Sequence, residues 1–546
     1  MKPFLVLLLI IFSFGLRFYN LNTLPNGLYW DEQDTGYQAY SLLKTGKDYF
    51  GNPIPLFPHS LADWRTPVNI YSSVPLVAVF GLRPVSVRLP AVIFGTLSIF
   101  CFYYLSRLLF GRIAALSAFL LAVSPWHLLY TRYNGEVSSM FLFLTLGLLT
   151  FFKGFSRPRY LLISFLSFAL SMASYSPAKL FIPVLLVFLI YIYSRCVFTQ
   201  HFFKLSLLIF LTLALPVFLV SSLGPAGTRF HDLAVYTDPQ LGSEVDRQRL
   251  TRAVSRYEIQ IVGQSPSILD RLFVNKPLLV ITRIINGYLD AFSPQFLFTR
   301  GDAELRHSFG NHVIGQLLYP DLILIVLGLI FLFSYQNKNL KIFLFLLLLL
   351  SPLPAALTRD GGAHASRSFL LVLPLYLFIA LGLKKLYFIS KNIFILFSVF
   401  YILSAVFFIQ YVFSFYRLES AKPFNWGFQS VISQALDLSA SYDRVYIDFY
   451  RDSPLMSYLF QTSFPPSRIN TAKALDSVDI GQGLTAYRFG KVYLLTPGQR
   501  YWQSLSLTGK NLVVAISDQP EINKIPRIIR TVNYPDSTPA FFFFEK

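Results

Sequence analysis

Apolar residues in this chain come in long runs rather than in strand-like alternation. Runs long enough to cross a hydrocarbon core, about 20 residues each, lie near 3–20, 86–109, 112–129, 135–153, 160–175, 178–194, 204–222, 312–334, 339–357, 365–386 and 393–415, and they predict eleven membrane helices. A shorter run, 67–82, decides the sidedness of everything after it. If it does not cross, one set of short connections collects Arg107/Arg112, Lys153/Arg157/Arg159, Arg195/Lys204, Lys338/Lys341 and Lys384/Lys385/Lys391, with no Asp or Glu among them. The positive-inside rule makes that side cytoplasmic, together with Lys2 and the N-terminus. Crossing by 67–82 would move most of these clusters outside, so the run reads as a partly inserted or re-entrant helix. The opening MKPFLVLLLIIFSFGLRF has no small-x-small cleavage site before the turn region Asn20–Asn26 and reads as an uncleaved first span.

The opposite side then holds three large pieces: a first loop at about 21–85, a second at about 223–311, and a tail at about 417–546, with nearly all the acidic residues. In the second loop, PSILDRLFVNKPLLVITRIINGYLDAF carries apolar positions at helical spacing, which suits an amphipathic helix on the outer leaflet or against the bundle. The tail alternates strand-like runs (VYIDFY, VYLLTP, NLVVAIS, FFFFE) with the helical FQSVISQALDL. The fold class that follows is a polytopic α-helical membrane protein of about 11 to 13 spans. Its outer loops carry short amphipathic helices. The expected division is a membrane domain over 1–416 and a small extracytoplasmic α/β domain over 417–546.

Composition agrees: 54% of residues are hydrophobic, 17% aromatic and only 14% charged, outside the range of ordinary soluble domains. The net charge of +19 comes from short basic clusters between apolar runs, not from a basic stripe with aromatic platforms, so a nucleic-acid partner is excluded. Cys101 and Cys196 imply no exported disulfide framework.

With charge so scarce, its outer positions carry the candidate chemistry. Asp31, Glu32 and Asp34 gather in GLYWDEQDTGYQAY, just past the first span. Asp31 there is either a helix cap, with Asp34 complementing the dipole, or a functional carboxylate at a membrane face. In SPWHLLYTRYNGEVSSMF, Arg132 and Glu136 are four residues apart, on one helical face at the outer surface. They either pair with each other or bind a ligand, with Arg132 on a phosphate and Glu136 orienting it or contacting a sugar. Lys179 falls in the first turn of a helix opened by Pro177, where a cation opposes the dipole unless an anion is near; a snorkelling lysine is the alternative. In LTRDGGAHASRSF, Gly361 and Gly362 permit close backbone approach, and His364 and Arg367 share a face, an arrangement suited to an anion. FTRGDAELRHSFGNH holds Asp302, Glu304, His307 and His312, which lack the spacing of a recognised metal-ligand set. No metal site is assigned from the sequence, although a divalent metal is compatible with it.

In this order along the chain, the DE pair with Tyr37, PVSVRLPAVIFGTL, SPWHLLYTRYNGE and RHSFGNHVIGQLLYP resemble the GT-C fold glycosyltransferases, in the superfamily of protein O-mannosyltransferases and the lipid A aminoarabinose transferase. The resemblance covers roughly 1–415. It implies transfer of a sugar, hexosyl or pentosyl, from a polyprenyl-phosphate carrier to an acceptor (lipid, protein or polysaccharide) on the outer face of the plasma membrane. Asp31 is then the base and Glu32 its neighbour. It also implies a first-loop lysine near the lipid phosphate, with Lys44 and Lys47 both candidates, whereas the aminoarabinose enzyme's metal site has no evident counterpart. A carboxylate can take the acceptor's proton. The leaving phosphate needs cations, for which Arg132, Lys179 and Arg367 stand at outer helix ends. A lipid-linked-sugar transporter or flippase is the competing class, but it would place charges at mid-span in broken helices. A non-enzymatic scaffold presenting the tail is the third.

Overall fold

The computed structural model describes residues 3–61, 63–224, 227–257, 267–310, 312–450, 452–469, 477–481, 484–497, 507–519, 525 and 527–546. Ala62 of the first loop, 258–266 of the second and Asn311 of the RHSFGNH stretch therefore lie outside the described residues. Among the described residues six helices are long and apolar enough to cross a membrane: Pro84–Phe110, Gly135–Gly154, Phe203–Leu223, Lys338–Ala356, Phe369–Ile389 and Lys391–Ser414. Shorter apolar helices include Phe4–Phe18, Tyr160–Ser174, Ser176–Ile192 and Tyr319–Phe333. The chain is a multi-pass membrane protein.

The run read as one span at 112–129 is instead two helices, Ala114–Ala122 and Pro125–Tyr133, bent by 60°. Pro125 supplies the cause, since its ring has no N–H to continue the helical ladder and suits a new first turn. The helix Pro67–Phe80 has 14 residues, about 21 Å at 1.5 Å per residue, against a hydrocarbon core of about 30 Å.

By internal contacts the chain forms two compact units. One comprises Met1–Ser13, Gly95–Tyr130 and Val137–Val406; the other comprises Phe14–Phe94, Thr131–Glu136 and Phe407–Lys546. The first is a helical bundle. Its helix Val372–Ile389 is buried nearly all round, as a hydrophobic helix at the centre of a bundle must be. Small residues let a neighbour approach: a Cβ on Gly328 would stand 2.1 Å from the Phe378 carbonyl oxygen, and one on Gly382 2.0 Å from that of Leu324. Ile395, Leu396 and Val399 point outward, apolar side chains suited to lipid.

Among the described residues the second unit contains a seven-stranded sheet. Its strands are β1 (Arg444–Asp448), β2 (Val478–Gly481), β3 (Leu484–Phe489), β4 (Val492–Leu495), β5 (Asn511–Ile516), β6 (Ile528–Asn533) and β7 (Pro539–Glu545), in the spatial order β2-β3-β4-β1-β5-β7-β6. The centre is parallel, with Val445 of β1 beside Val492 of β4 and Leu512 of β5, while both ends are antiparallel. Central strands buried on both faces read as continuous apolar runs, which is why VYID, VYLL and NLVVAI were visible in the sequence. Helix Phe428–Leu438 lays Phe428, Val431, Ile432 and Ala435 into the core, the i, i+3, i+4, i+7 stripe of an amphipathic helix. Tyr37 and Tyr49 of the first loop belong to the same core. The tail and the first loop thus fold as one body.

Candidate active site

The acids lie on helix Trp30–Thr45, which begins after an extended Tyr29 and ends at Gly46 in the left-handed conformation (φ 69°). Tyr29, not Asp31, is the N-cap residue, and Glu32 closes the first turn by accepting the Tyr29 N–H at 3.0 Å. The capping role read for Asp31 and Asp34 is therefore corrected. Asp34 turns inward, fully buried, accepting from the Tyr49 hydroxyl at 2.7 Å and the Ser60 hydroxyl at 2.9 Å, with Arg65 Nε at 3.3 Å. Burial pushes its carboxyl above the usual carboxylate range, against the opposing pull of Arg65 and the two hydroxyls.

Glu32 is equally committed. Arg88 donates from Nε to Oε1 at 2.6 Å and from Nη2 to Oε2 at 3.1 Å. Its remaining donors go to the carbonyls of Leu21 (3.0 Å), Pro25 (2.9 Å) and Gly27 (2.5 Å). Arg88 is wholly buried and Glu32 nearly so. The pair ties the acid helix to the chain that enters it.

Asp31 differs from both, because its side chain keeps 42% of its exposure. It is paired with Arg65, which also meets Asp63 at 3.1 Å and covers the Trp30 ring at 5.1 Å. Burial alone would loosen the Arg65 proton, but the carboxylates of Asp31, Asp63, Asp34 and Glu136 more than reverse this and hold the guanidinium charged. Arg65 is thus the fixed cation of an acidic cluster whose exposed member is Asp31. Lys44 and Lys47 are exposed at the far end of the helix, Lys44 about 20 Å from Asp31 along the axis.

Two sequence expectations change. Arg132 lies in the last turn of helix Pro125–Tyr133 and Glu136 in the first turn of helix Gly135–Gly154, so they do not share one helical face. Gly135, which opens the second helix, lies against Asn69: a Cβ there would stand 1.7 Å from the Asn69 side-chain oxygen. Arg132 is 1% exposed and donates to the carbonyls of Leu16, Tyr19 and Leu24, each at 2.8 Å. A guanidinium used in this way braces the segment after the first helix and does not present itself to a phosphate. Glu136, half-buried, contributes instead to the field at Arg65.

The other candidates lie in the helical unit. Lys179 sits, half-buried, in the first turn of helix Ser176–Ile192. Tyr175, which caps that helix, donates its hydroxyl to Ser366 at 3.2 Å, joining it to the loop of His364 and Arg367. Arg367 holds Asp360 at 2.6 Å and the Thr358 hydroxyl at 2.8 Å. Gly361 and Gly362 do give close backbone approach, but to another helix: a Cβ on Gly362 would lie 1.9 Å from the Gly287 carbonyl oxygen. His364 Nδ1 stands 3.9 Å from Asp302 Oδ2, to which His307 Nδ1 is hydrogen-bonded at 3.0 Å. Burial, the neighbouring His307 and Arg367 push His364 down to about 3, so its imidazole is neutral at pH 7. His312, grouped with His307 in the sequence, is exposed.

Arg65 and Arg88 escaped the sequence reading as site residues. Arg88 had a signal, being an arginine inside an apolar run, which requires a buried partner.

Two comparisons set this architecture beside known proteins. Residues 65–219 match the family model of dolichyl-phosphate-mannose-protein mannosyltransferase. No curated protein gives a significant match. Among solved structures, ArnT from Cupriavidus metallidurans bound to undecaprenyl phosphate aligns with 100% of this chain and 98% of its own, at 10% identity and a TM-score of 0.51. The apo state of that protein gives 12% identity, 98% and 97% coverage and a TM-score of 0.43. The archaeal oligosaccharyltransferase AglB from Archaeoglobus fulgidus, with an inhibitory peptide and a dolichol-phosphate, gives 13% identity and 0.46, covering 85% of this chain and 63% of its own. The fold is that of the GT-C glycosyltransferases. Within that class, the resemblance is to the superfamily of the protein mannosyltransferases and ArnT, as the sequence motifs implied.

Proposed function

We propose that this chain is an integral-membrane glycosyltransferase that moves a sugar from a polyprenyl-phosphate carrier to an acceptor on the outer face of the plasma membrane, with inversion and with Asp31 as general base. The observation that carries the reading is the division of labour at the DE pair. Glu32 is enclosed by Arg88, whereas Asp31 keeps an exposed carboxylate beside a fixed cation. The acceptor hydroxyl or amine attacks the anomeric carbon, Asp31 takes its proton, and the anomeric C–O bond breaks as the polyprenyl phosphate leaves with the electron pair. Arg65 keeps Asp31 oriented.

On their own unit, Lys179, His364 and Arg367 take the donor-phosphate and sugar-binding role; Arg132, held on backbone carbonyls, and Glu136, acting on Arg65, do not. Eleven spans, a cytoplasmic N-terminus and an extracytoplasmic tail complete the proposal, supported by the segregation of basic clusters among the short connections. The acceptor class is lipid, protein or polysaccharide. Purified protein offered a panel of polyprenyl-phosphate sugars should consume one of them and release polyprenyl phosphate. Turnover of none, with candidate acceptors of all three classes present, overturns the reading.

A further inference from the structure

Among the described residues, one group of three side chains brings metal-ligating atoms together: Asp302, His307 and His364, whose donor atoms all lie within 4.8 Å of one another. We propose that they form a binding site for one divalent transition-metal ion. The site shares only His364 with the residues assigned to the donor, and includes none of the acids of helix Trp30–Thr45.

The spacing suits an ion. Donors around a tetrahedral ion with bonds of about 2.0–2.2 Å stand about 3.4 Å apart. The Asp302 oxygen stands 3.0 Å from one imidazole nitrogen and 3.9 Å from the other, bracketing that value. The two imidazole rings are 4.7 Å apart and inclined at 45°, so they are not stacked on each other.

The shell behind them is built. Ala365 N–H donates to Asp302 Oδ2 at 2.6 Å, and Glu304 N–H to Oδ1 at 2.9 Å. The Ser308 hydroxyl oxygen accepts the Asp302 N–H at 2.7 Å and is itself held by Gln316 Nε2 at 2.6 Å. The Ala365 carbonyl accepts from the Trp126 indole at 3.0 Å. Arg367, the nearest cation on that loop, is paired with Asp360. Metal ligands are commonly oriented by such outer partners.

Two imidazoles and one carboxylate select a borderline ion, Zn2+ first, over Mg2+ or Ca2+, and three protein ligands leave a position for water or an anionic oxygen. The ion would also clamp the loop before helix Tyr319–Phe333 to the loop before helix Val372–Ile389.

The test uses the full chain in detergent, freed of any affinity tag, and titrates Co2+. The expected result is one Co2+ per chain, with the visible bands of a four- or five-coordinate nitrogen–oxygen site, displaced by Zn2+. His364→Ala should weaken binding more than about tenfold, and His231→Ala, at an exposed histidine elsewhere, should not. X-ray absorption of the wild-type cobalt protein keeps the proposal falsifiable if the variant fails to fold, since it should count two imidazoles. No stoichiometric Co2+ in the wild type, fewer than two imidazoles, or equal binding by a folded His307→Ala/His364→Ala protein would overturn the site.

Discussion

Arg88 and Glu32 form a bidentate pair, 2.6 Å and 3.1 Å, in which both partners are buried and the arginine's remaining donors close on three backbone carbonyls. The relationship crosses 56 residues of chain and fixes which acid of the DE pair stays available. Breaking a buried pair from one side leaves a charge without compensation and costs about 3–5 kcal/mol. Glu32→Ala and Arg88→Ala should each lower the thermal midpoint in detergent strongly. The double variant should lose less than the sum of the two, because the pair is coupled; strict additivity would deny the pairing.

Arg132 should behave as a brace. Removing the hydrogen bonds it makes to Leu16, Tyr19 and Leu24 is expected to cost about 3 kcal/mol or more. Arg132→Ala should therefore lower the melting temperature, with the apparent KM for the lipid donor unchanged in the fraction that remains folded. A raised KM at unchanged stability would return Arg132 to the phosphate.

Asp34 sets a pH dependence with a definite sign. Its folded-state pKa is raised by burial, so its contribution to stability is fully present below the unfolded value of 3.8 and is lost as pH climbs through the folded pKa. Asp34→Asn removes this titration and keeps an acceptor for Tyr49 and Ser60. The variant's stability relative to wild type should rise from pH 4 toward pH 7, read as the difference in melting temperature. A relative stability that falls over that range would contradict the assignment.

At Gly362 a side chain has nowhere to go, with the Gly287 carbonyl oxygen 1.9 Å from the Cβ position. Gly362→Ala should cost about 1–3 kcal/mol and increase protease cleavage in 357–368. Gly328→Ala is the comparison for helix packing, with the Phe378 carbonyl 2.1 Å from its Cβ position. A wild-type cleavage pattern in Gly362→Ala would mean that the loop does not rest on the helix.

What the sequence made readable follows the range of the forces involved. Apolar runs are local, and the run at 204–222 became helix Phe203–Leu223 almost residue for residue. The 60° bend at Pro125 was hidden because both halves are apolar and only the proline marks the break. In the tail, β1, β4, β5 and β7 were legible from their apolar runs. β2 and β6 are edge strands whose short or mixed sequences, VDIG and IIRTVN, carry no such run, and most of β6 is exposed. The acids of the candidate site announced themselves by being rare. Their partners did not, since Arg65 is 34 residues from Asp31 and Arg88 is 56 from Glu32, and only the fold brings them together. Asp302 and His307 were read with His312, when the partner that tertiary structure supplies is His364.

If Asp31 takes the acceptor's proton, single-turnover transfer by purified Asp31→Asn must slow. Using the lipid-phosphate sugar that the wild type consumes, with thermal midpoint and donor binding checked alongside, the rate should fall by about 100-fold or more while folding and donor binding persist. A folded Asp31→Asn protein that transfers sugar at the wild-type rate would rule Asp31 out as the base.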